Sequence, residues 1–302
     1  MRSIISLIYL ENFLKKKHVI PFILCLCLFQ YSLSASDDSK GWMHFDEVES
    51  TQAVAKICAR ELLRDPSKWV EITANRQTKG IGAYGEKLHS SPGHFYVTFM
   101  TLYPKEKIDE LSKIIQVATF SVTETLNEFG AQSGIKWTND ILSDGKKIAH
   151  CFCEVVPSPL EEFCGLLIGV DINIDIPQEE LARNCRTMTS MNAVTREEVD
   201  KERLLERLSH NLRQSTFRLL NQDFASSFST EINRLLLYKD SEIEVELAPS
   251  SVIKEKLIVK GQLKGIDNDG NLSLKMPSGE VCKVREGRIL GTYIPRPETK
   301  KF

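Results

Sequence analysis

The chain has 302 residues, of which 42% are hydrophobic and 26% charged, enough for one large and one small globular unit. Its formal net charge is -2 and its sequence pI about 6.3. No stretch carries the basic excess of a nucleic-acid binder, so no nucleic-acid partner is expected.

The N-terminus has a pattern of its own. Lys15-Lys16-Lys17 precede an apolar run over 19–33, and Ser32-Leu33-Ser34-Ala35 sits where a signal peptidase would cut. The run is shorter than the ~20 apolar residues of a spanning helix, and no stable membrane association is expected. Residues 1–42 also read as an over-extended start ahead of Met43-His44-Phe45-Asp46-Glu47-Val48, and that is the preferred reading. It makes the protein cytoplasmic, whereas a true signal would export it. The eight cysteines form no C-x-x-C pair and no zinc spacing. They read as buried, reduced thiols, which fits the cytosol.

From Met43 onward helical and strand periods alternate. Ser50 is placed to cap a helix over 51–63, with Val54, Ile57, Cys58 and Leu62 on its apolar face. A strand over 70–73 leads into the loop Gly80-Ile81-Gly82-Ala83-Tyr84-Gly85, and a second strand covers 95–102. Helical spacing returns over 113–129 through Ile114, Val117, Ala118, Val122, Leu126 and Phe129. Strands are expected at 135–137, 148–156 and 166–174, then a covering helix over 197–221. After Tyr238 short strands crowd together at 243–247, 257–263, 272–276, 280–284 and 288–293. Asp269-Gly270 and Ser278-Gly279 supply hairpin turns. This pattern suggests a small SH3-like barrel appended to an α/β domain.

Two constellations carry chemistry. The glycines of the 80–85 loop let backbone N–H groups approach an anion. The loop has no Gly-Lys-Ser/Thr and no acidic residue for a dinucleotide fingerprint, and taken alone it reads by default as a structural turn. The second constellation is Lys136-Trp137-Thr138-Asn139-Asp140-Ile141, with Gly145-Lys146-Lys147 behind it. It places two lysines, a carboxylate and an amide at one end of a hairpin. Phosphate chemistry uses such a set: cations at the α-phosphate and a carboxylate able to receive a proton from an amine. A solvated turn is the plainer alternative, because Asn-Asp and Asp-Gly are ordinary turn formers.

In order along the chain stand Glu49-Ser50-Thr51-Gln52, Gln77-Thr78-Lys79-Gly80-x-Gly82-x-x-Gly85, Ser91-Pro92-Gly93, the Lys136–Ile141 run, Lys147-Ile148-Ala149 and Gly169-x-x-Ile172-Asn173. This series resembles the catalytic domain of biotin–protein ligases over residues 43 to 240. Lys264-Gly265-Ile266-Asp267 and Gly270-x-Leu272 are similar to that family's C-terminal domain. The resemblance implies an α+β fold: a mixed sheet flanked by helices over 43–240 and an SH3-like β-barrel over 241–302. It implies a ligase that makes biotinyl-AMP from biotin and ATP with Mg2+. Biotin then passes to a lysine of a biotin carboxyl-carrier domain of a carboxylase. A homodimer is compatible with the family.

Carried over residue by residue, Ser50, Thr51, Gln77 and Gly80 would contact biotin. Gly82, Gly85, Asn139 and Asn173 would face the nucleotide. Lys147 would hold the carboxylate and the forming phosphoanhydride, Lys136 would add charge, and Asp140 would orient or deprotonate the acceptor lysine. Glu280 and Arg285 would reach the nucleotide from the barrel. The departures are specific. Ile81, Ala83 and Glu86 stand at the family's loop arginines and Leu88 at its tryptophan. His150 and Asp171 replace glycines, and Thr138 a proline. Losing a charge-assisted phosphate contact in a dry site costs about 1.5–3 kcal/mol. The alternatives are therefore a non-catalytic binding protein of the same fold and an acyl transferase of the lipoate/octanoate type.

Overall fold

In the computed structural model, residues 40–80, 93–177, 179, 187–248 and 257–291 are described. The first seven strands are β1 (Lys40–Val48), β2 (Trp69–Gln77), β3 (His94–Pro104), β4 (Ser133–Lys136), β5 (Asp140–Ser143), β6 (Lys146–Pro157) and β7 (Phe163–Asn173). They form one sheet in the order β1-β2-β3-β7-β6-β5-β4. Only β1 and β2 run parallel; the other pairings are antiparallel, so the sheet is mixed. β3 and β7 lie at its centre and are buried almost end to end. Both faces are covered, which is why they read as unbroken apolar runs.

Helix α1 (Thr51–Leu62) covers one face. Val54, Ala55 and Ala59 pack there with Met43, Ile72, Met100 and Leu167. The other face carries α2 (Leu111–Glu128) and, after the short α3 (Met191–Thr195), α4 (Lys201–Asn221). In α2, Thr119, Ser121, Thr123 and Thr125 return their hydroxyls to carbonyls four residues back, which makes four polar side chains compatible with burial. The start of α4 is set by Asp200, whose carboxylate accepts from the Glu202 and Arg203 N–H groups at 3.0 and 3.1 Å. The helix therefore begins four residues later than the expected 197.

The second sheet holds β8 (Glu242–Leu247), β9 (Ile258–Ile266), β10 (Leu272–Lys275), β11 (Val281–Val284) and β12 (Gly287–Ile289), ordered β11-β10-β9-β8-β12. These five short antiparallel strands fit an SH3-like unit, and both expected turns are present. Its core is not separate. Val245, Leu263, Leu272 and Leu274 join Phe224, Phe228 and Ile232 in the same apolar cluster that fills the main domain's helical face. The last two of these lie in a π-turn (Ala225–Ser229) and α5 (Thr230–Leu235), neither of which the apolar spacing revealed.

Two further differences matter for the site. β1 begins at Lys40, three residues ahead of Met43, and pairs along its length with β2. Asn139-Asp140 reads as a turn, yet Asp140 opens β5 and pairs with Lys136 on one side and His150 on the other. Cys151, Cys153, Cys164 and Cys282 are free thiols, of which Cys151 and Cys164 are buried. Among the described residues no helix is long and apolar enough to cross a membrane. The signal-like stretch lies outside the described residues.

Candidate functional site

Directly paired residues share a face of a sheet. Reading the register across the sheet gives one row: Tyr96 on β3, Asp171 on β7, His150 on β6, Asp140 on β5 and Lys136 on β4. Tyr96 lies two residues from Thr98, and Thr98 sits under the start of α1. The row therefore lies on the α1 face.

Lys147 joins the row through a bulge. Strict alternation would put Lys147 and His150, three residues apart, on opposite faces. The register of β5 against β6 slips between Ile141 and Leu142, and Ile148 and Ala149 both enter the core on the far side. That extra residue restores Lys147 to the face of His150. Its Nζ lies 2.6 Å from Asp140 Oδ1, both side chains being about one-third exposed. The Lys147 backbone is clamped as well: its N–H donates to Thr187 O and its carbonyl accepts from Thr189 N–H. Asn173 Nδ2 donates to the carbonyls of both Lys147 and Thr189.

A second cluster forms at the first turn of α1. Ser50 occupies the N-cap position, but its side chain makes no capping bond. Instead Gln77 Oε1 accepts from the Thr51 N–H at 2.8 Å and from its hydroxyl at 3.2 Å. Thr98 Oγ1 lies 2.9 Å from Thr51 Oγ1 and 3.0 Å from Gln52 Oε1. Thr51, Gln52, Gln77 and Thr98 are all buried. Gln52 stands in the Glu49-Ser50-Thr51-Gln52 motif with no role of its own expected, and Thr98 belongs to no motif. The one signal for Thr98 is a hydroxyl amid the apolar run Tyr96-Val97-Thr98-Phe99-Met100.

His150 and Asp171 face each other with Nε2 and Oδ2 3.6 Å apart, both almost fully buried. Burial pushes the imidazole down to about 3, with Lys147 adding to the effect. Burial likewise pushes the Asp171 carboxyl up to about 7, partly offset by Lys147. The imidazole is thus neutral near pH 7, and the contact is not an ion pair. For Asp171 the folded chain keeps a proton that the unfolded chain releases above the ordinary value of 3.8. The stability it contributes is full below that pH and is lost as pH rises towards 7. Asp171→Asn is therefore expected to raise stability by on the order of 3 kcal/mol above pH 7 and to change it little below pH 4. Urea unfolding of both proteins across this range checks the sign.

The remaining expected residues fall as follows. Lys136 is buried and donates to Gly291 O at 2.7 Å, tying β4 to the end of the small sheet. Its ammonium is pushed down by burial, opposed by Asp140 and helped by Lys147 and Arg288. Asn139 Nδ2 donates to Cys151 O at 2.6 Å, so this amide, like that of Asn173, braces backbone beside the row. Arg285 donates to Asp109 O. Gly80 is buried at the end of the Gln77 segment, next to Lys79, which pairs with Glu49 at 2.6 Å. Gly82 and Gly85, with Ile81, Ala83, Glu86 and Leu88, lie outside the described residues.

The sequence profile of the biotin/lipoate A/B protein ligase family matches residues 48–173, the span that carries both clusters. Over those residues the chain is similar to that family. The ligase/repressor BirA of Bacillus subtilis is 24% identical over 168 residues, 55% of this chain and 50% of that protein. The chain thus spans about half the length of the first curated relatives it matches. The biotin–[acetyl-CoA-carboxylase] ligase of Mycobacterium tuberculosis is 24% identical over 258 residues, 83% of this chain and 90% of that protein. In fold, the chain matches the biotin protein ligase of Aquifex aeolicus, solved with biotin and ATP. The TM-score is 0.66 at 23% identity, over 82% of this chain and 97% of that one.

Proposed function

We propose that the chain is an ATP-dependent biotin–protein ligase, with residues 43–240 as its adenylating unit and 241–302 as an appended barrel. The observation that carries this reading is the bulge-positioned Lys147, held by Asp140 on the same face as the Thr51–Gln77–Thr98 cluster. Biotin's polar ring lies at that cluster and its carboxylate at Lys147. The carboxylate oxygen attacks the α-phosphate of ATP, forming biotinyl-AMP and releasing pyrophosphate. Lys147 offsets the charge that builds at the phosphoryl oxygens. The amine of a carrier-domain lysine then attacks the acyl carbonyl, AMP leaves, and the amine's proton is lost. Asp140 orients that amine.

Among the described residues no group of three His, Cys, Asp or Glu side chains could hold a metal ion. Magnesium keeps several waters and binds through substrate phosphates, so ATP would bring it to the site. The partner is a biotin carboxyl-carrier domain of a carboxylase, met in the cytoplasm. The test is ATP-dependent incorporation of labelled biotin into such a domain by the full chain. Incorporation that requires ATP supports the reading. Neither incorporation nor biotin-dependent pyrophosphate exchange would sink it.

A further inference from the structure

Asp171 is a carboxyl in a place that does not favour charge. It is buried in the cross-sheet row, one strand from Tyr96 and one from His150, between the Thr51 cluster and the Lys147–Asp140 pair. On β3 its neighbours are Tyr96 and His94, and on β6 His150 and Lys147. Asp140 on β5 and Lys136 on β4 follow along the row, and α1 brings the uncharged Thr51 and Gln52 above it. Behind the sheet the Cys151 thiol is pushed up by burial and stays neutral.

The two lysines are committed elsewhere, Lys147 to Asp140 at 2.6 Å and Lys136 to Gly291 O at 2.7 Å. His150 Nε2 is buried without a partner, because Asp171 Oδ2 at 3.6 Å is beyond hydrogen-bond distance. Burial keeps that imidazole neutral, so it offers no charge to an ionised Asp171. With Asp171 protonated, the lysines and carboxylates of the row sum to one positive charge, Lys136 and Lys147 against Asp140. Ionising Asp171 brings that sum to zero.

We propose that Asp171 is a proton-linked gate on the acid site: a proton is taken up at this carboxyl when the ligand's carboxylate settles at Lys147, so acid binding weakens as pH rises. This rests on the ligase reading, which puts the acyl carboxylate at Lys147 and the acyl chain beside Asp171. Burial holds the Asp171 carboxyl at about 7. Below that pH it is neutral, and the incoming carboxylate meets net positive charge. Above it, the ionised carboxyl repels the ligand's carboxylate in a buried strip, where like charges interact more strongly than in water. Bound ligand in turn favours the protonated form, so acid bound above that pH draws a proton from the buffer.

Calorimetric titration of the full chain with biotin, at about pH 6 and about pH 8.5 and in buffers of contrasting protonation enthalpy, tests the gate. Biotin affinity is expected to fall about tenfold or more between the two, with about one proton taken up at the higher pH. Biotinol, with a hydroxyl in place of the carboxylate, should bind equally at both. Asp171→Asn keeps the shape of the side chain without titrating. Its biotin affinity should be level across the range, with no proton taken up. Level affinity and no proton uptake in the natural chain would overturn the gate and leave the ligase reading intact. So would full pH dependence in an Asn variant that melting curves show to be folded. Biotinol as pH-dependent as biotin would mean that the ligand's carboxylate is not what Asp171 repels, which overturns it too. Binding of biotin at neither pH would overturn the ligase reading and this one with it.

Discussion

Replacing Lys147 with alanine is expected to slow biotin-dependent ATP–pyrophosphate exchange by on the order of 10²–10³-fold, the usual effect of removing one preorganised charge partner of a transition state. The effect on folding should be small. Lys147 and Asp140 are each about one-third exposed, and an ion pair open to solvent contributes ~1 kcal/mol or less. Lys136→Ala should behave in the opposite way. Lys136 is buried and its Nζ donates to the carbonyl of the exposed Gly291, so the variant removes a charge-assisted hydrogen bond and costs about 1.5–3 kcal/mol of stability. Its exchange rate should fall less than that of Lys147→Ala. Equal and small losses of exchange in the two variants would remove Lys147 from the role assigned to it. The contrast arises because one lysine is bound into the domain junction and the other faces the site.

That contrast was only half legible in the sequence. Both lysines and Asp140 were identifiable as a group from residue type and spacing, but their division of labour depends on two features that spacing does not encode. One is the bulge at Ile148, which reverses the face of Lys147. The other is the small sheet's approach to β4, which engages Lys136. The cross-sheet row was hidden for a related reason. Tyr96, Asp171, His150 and Asp140 are brought together by register, and register depends on turns and packing across five strands. The strand runs and hairpin turns of the second sheet were legible, because alternation and Asp-Gly or Ser-Gly turns are local signals. β1 was not. As a parallel edge strand with Trp42, Asp46 and Glu47 exposed, it alternates too weakly to stand out. Thr51 and Gln77, 26 residues apart, were both expected at the ligand, but nothing in the sequence announced that they bond each other.

Gly93→Ala is expected to destabilise the fold by roughly 3 kcal/mol or more and to abolish biotin binding with it. Gly93 has φ +92°, where an L side chain is strained, and a Cβ there would stand 2.1 Å from the backbone carbonyl oxygen of Asp175. That carbonyl cannot retreat cheaply. Gly93 O itself accepts from the Ile174 and Asp175 N–H groups at 2.9 and 2.8 Å, so the two segments are held together at that point. The clash would push apart the ends of β3 and β7, where His94 pairs with Asn173. Asn173 in turn clamps the carbonyl of Lys147, which links the damage to the site. Gly279→Ala is the matched control: its φ is +90°, but nothing lies within 4 Å of the added carbon. It should show the conformational cost alone, about 1–2 kcal/mol, and leave ligand binding untouched. Urea midpoints for the two variants separate strain from collision. Equal losses would mean that the approach of Gly93 to Asp175 contributes nothing beyond its dihedral angle.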